Sequence, residues 1–114
     1  MQIAIRHGKV DVPPALRATV EEKIGRVARF YDGMELAEVR FVEERNPRIA
    51  AREICEVTVR GRGHVVRARA SAADGFAAVD LVVDKLEHQL AKLKSRLVAR
   101  SHPRRALAGS AVAD

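Results

Sequence analysis

Three short runs in the middle of the chain alternate between apolar and polar residues, and they constrain the fold more than any other feature. Val39 and Phe41 alternate with Glu38 and Arg40; Cys55, Val57 and Val59 with Glu56 and Thr58; Val66, Ala68 and Ala70 with Arg67 and Arg69. Successive side chains of a strand point to opposite faces, so each run reads as a strand with one side for a core and one for water. Residues 2–6, QIAIR, add a short fourth strand with Ile3 and Ile5 on one face. Asn46-Pro47 interrupts the chain after the first of the three runs, and Gly61-Arg62-Gly63 is the turn between the other two. A sheet wet on one face needs a cover on the other.

The flanking segments supply that cover, because their apolar residues recur at helical spacing. Leu16, Val20, Ile24, Val27 and Phe30 or Tyr31 form one such series. It starts in VDVPPALR, where a proline near the first helical position loses no helical hydrogen bond, and stops at Asp32 and Gly33. The second helix follows Asp74, an N-cap residue type, and runs to about Ala99. At about 100° per residue, Phe76, Val79, Val82, Val83, Leu86, Leu90, Leu93 and Leu97 share one arc. The expected fold is α+β with the order β-α-β-β-β-α, a four-stranded sheet with both helices packed on its apolar face. At 114 residues the chain holds one domain with one modest core. That domain is expected to span residues 1–99. Residues 100–114, ending in the small, proline-broken SHPRRALAGSAVAD, are expected to form a flexible tail or the start of a linker.

The second helix also sorts its charges. Lys85, His88, Lys92 and Arg96 fall on one stripe, and Asp80, Asp84 and Glu87 on another. The chain carries a net charge of +6, and from Lys85 to Arg105 seven Lys or Arg residues meet one acid, Glu87. The excess therefore sits on this helix and the residues after it. A helix face of Lys and Arg is ordinarily just a solvated face. A face built only for solubility, however, intersperses the signs and gains i to i+4 pairs of a few tenths of a kcal/mol each. Here bases neighbour bases, and an external anion is needed to offset their repulsion. Net positive charge favours polyanions, either nucleic acid or an anionic membrane surface. With no Trp, one Tyr and three Phe, the chain has few aromatics for base stacking, so structured RNA recognised by charge and shape fits best. Lys23 and Arg26 on the first helix would extend the stripe into one patch if the helices lie side by side. The open sheet face, with Arg40, Arg67 and Arg69, is a second surface for RNA or protein.

Other chemistry has less support. His7, His64, His88 and His102 are scattered, with no Cys or His at metal-ligand spacing, so neither a metal nor a cofactor is expected. Asp80 and Asp84, one turn apart, admit a metal-dependent nuclease in principle, but a solvated acidic stripe is much the better account of them. No P-loop pattern or convergent polar set points to an enzyme. The single cysteine, Cys55, excludes an internal disulfide and reads as a buried structural thiol. Arg6, His7 and Lys9 interrupt MQIAIRHGKV, and no other stretch approaches the apolar length of a membrane span. A cytoplasmic protein without membrane attachment is the expectation.

The segment AAVDLVVDKLEHQLAKLKSRL closely resembles the last helix of the ribosome hibernation promoting factor family. In that family a Tyr-Ala-Ala-Ile-Asp start leads into Asp-Lys-Leu, a basic Gln-Leu step and a Lys-x-Lys ending. VDVPPALRATVEEKIGRVARFYDG resembles the family's first helix, which closes in Lys-Leu-x-Lys-Leu-x-x-Tyr-Phe. The likeness holds in order and spacing over roughly residues 1 to 99.

The resemblance implies a core similar to a double-stranded-RNA-binding domain and a factor that sits on the small ribosomal subunit of idle ribosomes. There it would compete with mRNA and tRNA for their channel, block translation and protect the ribosome in stress or stationary phase. The family's rRNA-binding positions fall on Lys23, Arg26, Lys85, His88, Lys92, Lys94 and Arg96. Four positions depart from the family pattern. His88 stands where Arg is usual, exchanging a permanent cation for a residue type largely neutral near pH 7. Pro13 and Pro14 replace a Thr-Glu helix start, and Phe76 replaces a common Tyr. Longer members append a C-terminal domain that pairs ribosomes, and the chain ends within what resembles the start of the linker to it. A structured-RNA-binding module with no preference for ribosomes is the alternative reading.

Overall fold

The alternating runs form the strands they predict. In the computed structural model, which describes residues 1–7, 11–27 and 33–101, the order is β1 (Gln2–His7), α1 (Pro14–Val27), β2 (Leu36–Glu43), β3 (Glu53–Gly61), β4 (His64–Ala72) and α2 (Gly75–Ser101). The strands lie in the sheet in the order β1-β2-β3-β4. β1 pairs parallel to β2, with Ile3 opposite Ala37 and Ile5 opposite Val39, and the other pairs are antiparallel. A parallel pair needs a long crossover, and α1 supplies it.

The turn between β3 and β4 has only two residues, Arg62 and Gly63, and both have positive φ, 50° and 79°. That is the mirror-image turn whose twist matches paired strands, and glycine adopts it without steric cost. Gly61 is fixed for another reason: a Cβ there would lie 2.2 Å from the Gly33 carbonyl oxygen. The approach is held by the Glu35 amide donating to the Arg60 carbonyl at 2.8 Å.

Both helices cover the same sheet face. Val20, Ile24 and Val27 of α1 and Val79, Val82, Leu86 and Leu90 of α2 are fully buried with Ala37, Val39, Cys55 and Val59. The helices run parallel: Leu16 sits against Gly75 at their starts, and Lys23 meets Asp80 further along. α1 begins with Pro14, and the Pro13 carbonyl accepts the first helical bond from the Arg17 amide at 2.9 Å. α2 is capped by Asp74, whose Oδ1 accepts from the Ala77 amide at 2.8 Å.

Several expectations change. Phe76 is 44% exposed instead of buried. It lies at the rim of the apolar arc in the first turn of α2, and the fully buried Ala78 takes the inner position. α2 continues through Arg100 and Ser101, two residues past the expected boundary at 99. The expected continuation of α1 through Phe30 or Tyr31, its stop at Asp32, and residues 102–114 lie outside the described residues. No helix among the described residues is long and apolar enough to cross a membrane.

Candidate nucleic-acid interface

α2 is the longest element, 27 residues or about 40 Å at the usual rise. Its apolar arc faces the sheet, so its two charged stripes project to either side. One side faces α1. There the Lys23 ammonium donates to the Asp80 carboxylate, and Asp84 and Glu87 lie along the same flank. The other side overhangs β4. Lys85 donates through Nζ to the Arg69 carbonyl at 2.7 Å, and His88, Lys92 and Arg96 follow it, exposed, toward the β3–β4 turn.

This arrangement corrects the patch expected from the two helices together. Lys23 and Arg26 do not border the basic stripe, because α1 packs on the acidic flank of α2. Lys23 is engaged by Asp80, and Arg26 by Glu22 on its own helix at 3.1 Å. Lys94 is exposed but belongs to a different face. Nine residues beyond Lys85, it comes about half a turn round the helix. Asp80, half of the carboxylate pair considered for a metal, has a lysine ammonium as its partner. Among the described residues no group of three or more His, Cys, Asp or Glu is placed to hold a metal ion.

Ion pairing divides the cations further. On the open sheet face Arg6 and Arg60 both hold Glu38, at 3.4 and 3.2 Å, and Arg69 holds Glu56 at 3.6 Å. Among the described residues His88, Lys92, Lys94, Arg96, Arg40 and Arg67 have no such partner. Between α2 and β4 runs an open groove of about 710 Å³, lined by Val65, Val66 and Arg67 on one wall and by His88, Lys92 and Arg96 among others on the opposite wall. The sequence placed Arg67 on the open face only. Its neighbourhood with α2 was hidden because no periodicity reveals which strand ends up at the sheet edge beneath the helix.

Cys55 is a core residue. It is fully buried, and burial, with the Glu56 charge adding to it, pushes its thiol up to about 12. A thiol held neutral in this way is a poor nucleophile.

Comparison with known proteins places this geometry in a family. Residues 3–98 match the family model described as Sigma 54 modulation protein / S30EA ribosomal protein. The chain is 36% identical over 105 residues to the ribosome hibernation promoting factor of Azotobacter vinelandii, covering 92% of this chain and 94% of that protein. It is 38% identical over 98 residues to the ribosome hibernation promotion factor of Mycobacterium tuberculosis, of whose length it spans only 44%. Among solved structures, a ribosomal subunit interface protein from Coxiella burnetii superposes with a TM-score of 0.74 at 30% identity, over 83% of this chain and 99% of that one. The N-terminal domain of Protein Y from Thermus thermophilus superposes with a TM-score of 0.68 at 31% identity, over 82% of this chain and 99% of that one. With a family match over nearly the whole described fold, the chain belongs to the Sigma 54 modulation protein / S30EA ribosomal protein family, that of the ribosome hibernation promoting factors.

Proposed function

We propose that the chain is a ribosome hibernation factor that docks on the rRNA of the small subunit, in the channel used by mRNA and tRNA, and silences translation by filling it. The observation that carries this reading is the basic flank of α2, where His88, Lys92 and Arg96 stand exposed without a carboxylate partner among the described residues. Lys92 and Arg96, unpaired cations on a rigid helix, neutralise phosphates at little reorganisation cost, and several contacts act together. Lys85 adds to them: its ammonium has three donors, and the Arg69 carbonyl takes one. Lys94, about half a turn round α2 from Lys85, meets RNA only on a different side of the helix. Lys23 and Arg26, paired with Asp80 and Glu22 on and beside α1, stay outside this surface. The mechanism is steric, with no bond made or broken, and the site of action is the cytoplasm. In a longer form, a C-terminal domain would pair the silenced ribosomes.

The test is order of addition. Chain added to vacant small subunits is expected to bind and to block translation, and subunits preloaded with mRNA and initiator tRNA are expected to exclude it. Equal affinity for free RNA duplex and for vacant subunits, with no effect of preloading, would leave only a general structured-RNA-binding module.

A further inference from the structure

The α2 stripe is one wall of a groove whose other wall also carries a cation. β4 is the edge strand of the sheet, and Arg67 on it borders both the open sheet face, beside Arg40 and Thr58, and the groove opposite His88, Lys92 and Arg96. The pairing of strands explains why Arg67 has no carboxylate partner among the described residues. Its neighbour across β3 is Thr58, whereas Arg69 stands opposite Glu56 and is bound to it. Four of the nine residues lining the groove are basic types, and none is acidic or a Phe, Tyr or Trp. The remaining lining is small, aliphatic or amide, as in Val65, Val66 and Gln89.

We infer that this groove seats a single phosphodiester strand of folded rRNA, gripped by Arg67 from the β4 side and by Lys92 and Arg96 from the α2 side. The inference rests on the reading that α2 docks on rRNA and adds a second wall to that contact. With no Phe, Tyr or Trp the groove lacks a broad stacking platform, and its cations favour a strand lying with its backbone inward. A guanidinium suits this position because its planar fork binds two phosphate oxygens at once. An acidic peptide adding to β4 as a fifth strand fits less well. In a hairpin with a two-residue turn, Gly61 and His64 form the hydrogen-bonded pair, so the outward backbone groups of β4 belong to Val65, Arg67, Arg69 and Ser71. Lys85 already occupies the Arg69 carbonyl.

The experiment measures binding to purified vacant small ribosomal subunits across a salt series for wild type, Arg67→Gln, Arg40→Gln and a Lys85→Glu, Lys92→Glu, Arg96→Glu variant, each of confirmed fold. Arg40 is also unpaired but lies outside the groove, so it controls for general charge. The expected result is weaker binding by Arg67→Gln, with a log-log salt slope shallower by about 0.7 to 0.9, and no change for Arg40→Gln. Arg67→Gln binding like wild type while the triple variant fails would overturn the groove and leave the α2 surface intact. Equal losses for Arg67→Gln and Arg40→Gln would also overturn it, since general charge would then suffice. If Arg67→Gln and the triple variant both bind like wild type, the underlying reading fails as well. Arg67-dependent capture of a polyglutamate peptide, with no effect of Arg67→Gln on subunits, would assign the groove to protein instead.

Discussion

The two flanks of α2 carry opposite charges and have opposite surroundings. The acidic flank faces α1 and finds a cation there, Lys23 on Asp80, so its charge is used within the fold. The basic flank overhangs an edge strand and finds only a backbone carbonyl, for Lys85, and nothing for His88, Lys92 or Arg96 among the described residues. The difference teaches that charge separation along one helix is not itself a sign of function. What marks a binding surface is the flank whose partners the fold does not supply.

The strongest way to break the comparison is to unseat the helix that holds both flanks. Leu90 is fully buried, and Leu90→Ala is expected to cost about 2 to 5 kcal/mol in chemical denaturation; a loss below about 1 kcal/mol would mean α2 is not anchored through this arc. Asp74→Ala removes the cap that starts α2 and is expected to cost about 1 kcal/mol by the same measurement. Lys23→Ala probes the acidic flank. The pair is partly exposed, so a change of about 1 kcal/mol or less is expected, and a larger loss would show that the pair fixes the angle between the helices.

The basic flank answers to a different measurement. His88→Arg is expected to leave the denaturation midpoint unchanged, to tighten subunit binding several-fold near pH 7 and to steepen its salt slope by about 0.7 to 0.9; an unchanged slope would remove His88 from the contact.

Cys55 gives the smallest and most buried contrast. Its thiol is raised from 9.0 to about 12, so the folded state holds a proton that the unfolded state begins to lose at pH 9. The stability from this group is full below pH 9 and is lost as pH rises toward 12. The stability gap between wild type and Cys55→Ala is therefore expected to narrow from pH 8 to pH 10.5, and a constant gap would contradict the burial.

The sequence made the sheet, both helices and the stripes of α2 legible, because each is written as a period in adjacent residues. It also located Asp74 as a cap and Cys55 as a core thiol. What it could not show is which elements become neighbours. Lys23 and Asp80 are 57 positions apart, and their contact depends on α1 packing beside one flank of α2 and not the other. Arg67 reads as an open-face residue and is one, but that it also borders the α2 groove shows only once β4 is known to be the edge strand. Phe76 sits on the apolar arc by angle yet is exposed, since the arc's rim in the first turn extends past its cover. The family positions alone put Lys23, Arg26 and Lys94 with the stripe, and the helix geometry separates them from it.

The central claim is that the two flanks do different work, and a charge swap tests it most directly. Co-sedimentation with vacant small subunits would compare wild type, the Lys85→Glu, Lys92→Glu, Arg96→Glu variant and a Lys23→Asp, Asp80→Lys variant that reverses the α1–α2 pair while keeping the net charge. The account predicts that the triple variant fails to pellet with subunits and that the swapped pair pellets like wild type. A triple variant that pellets normally, or a swapped pair that loses as much as the triple, would contradict it.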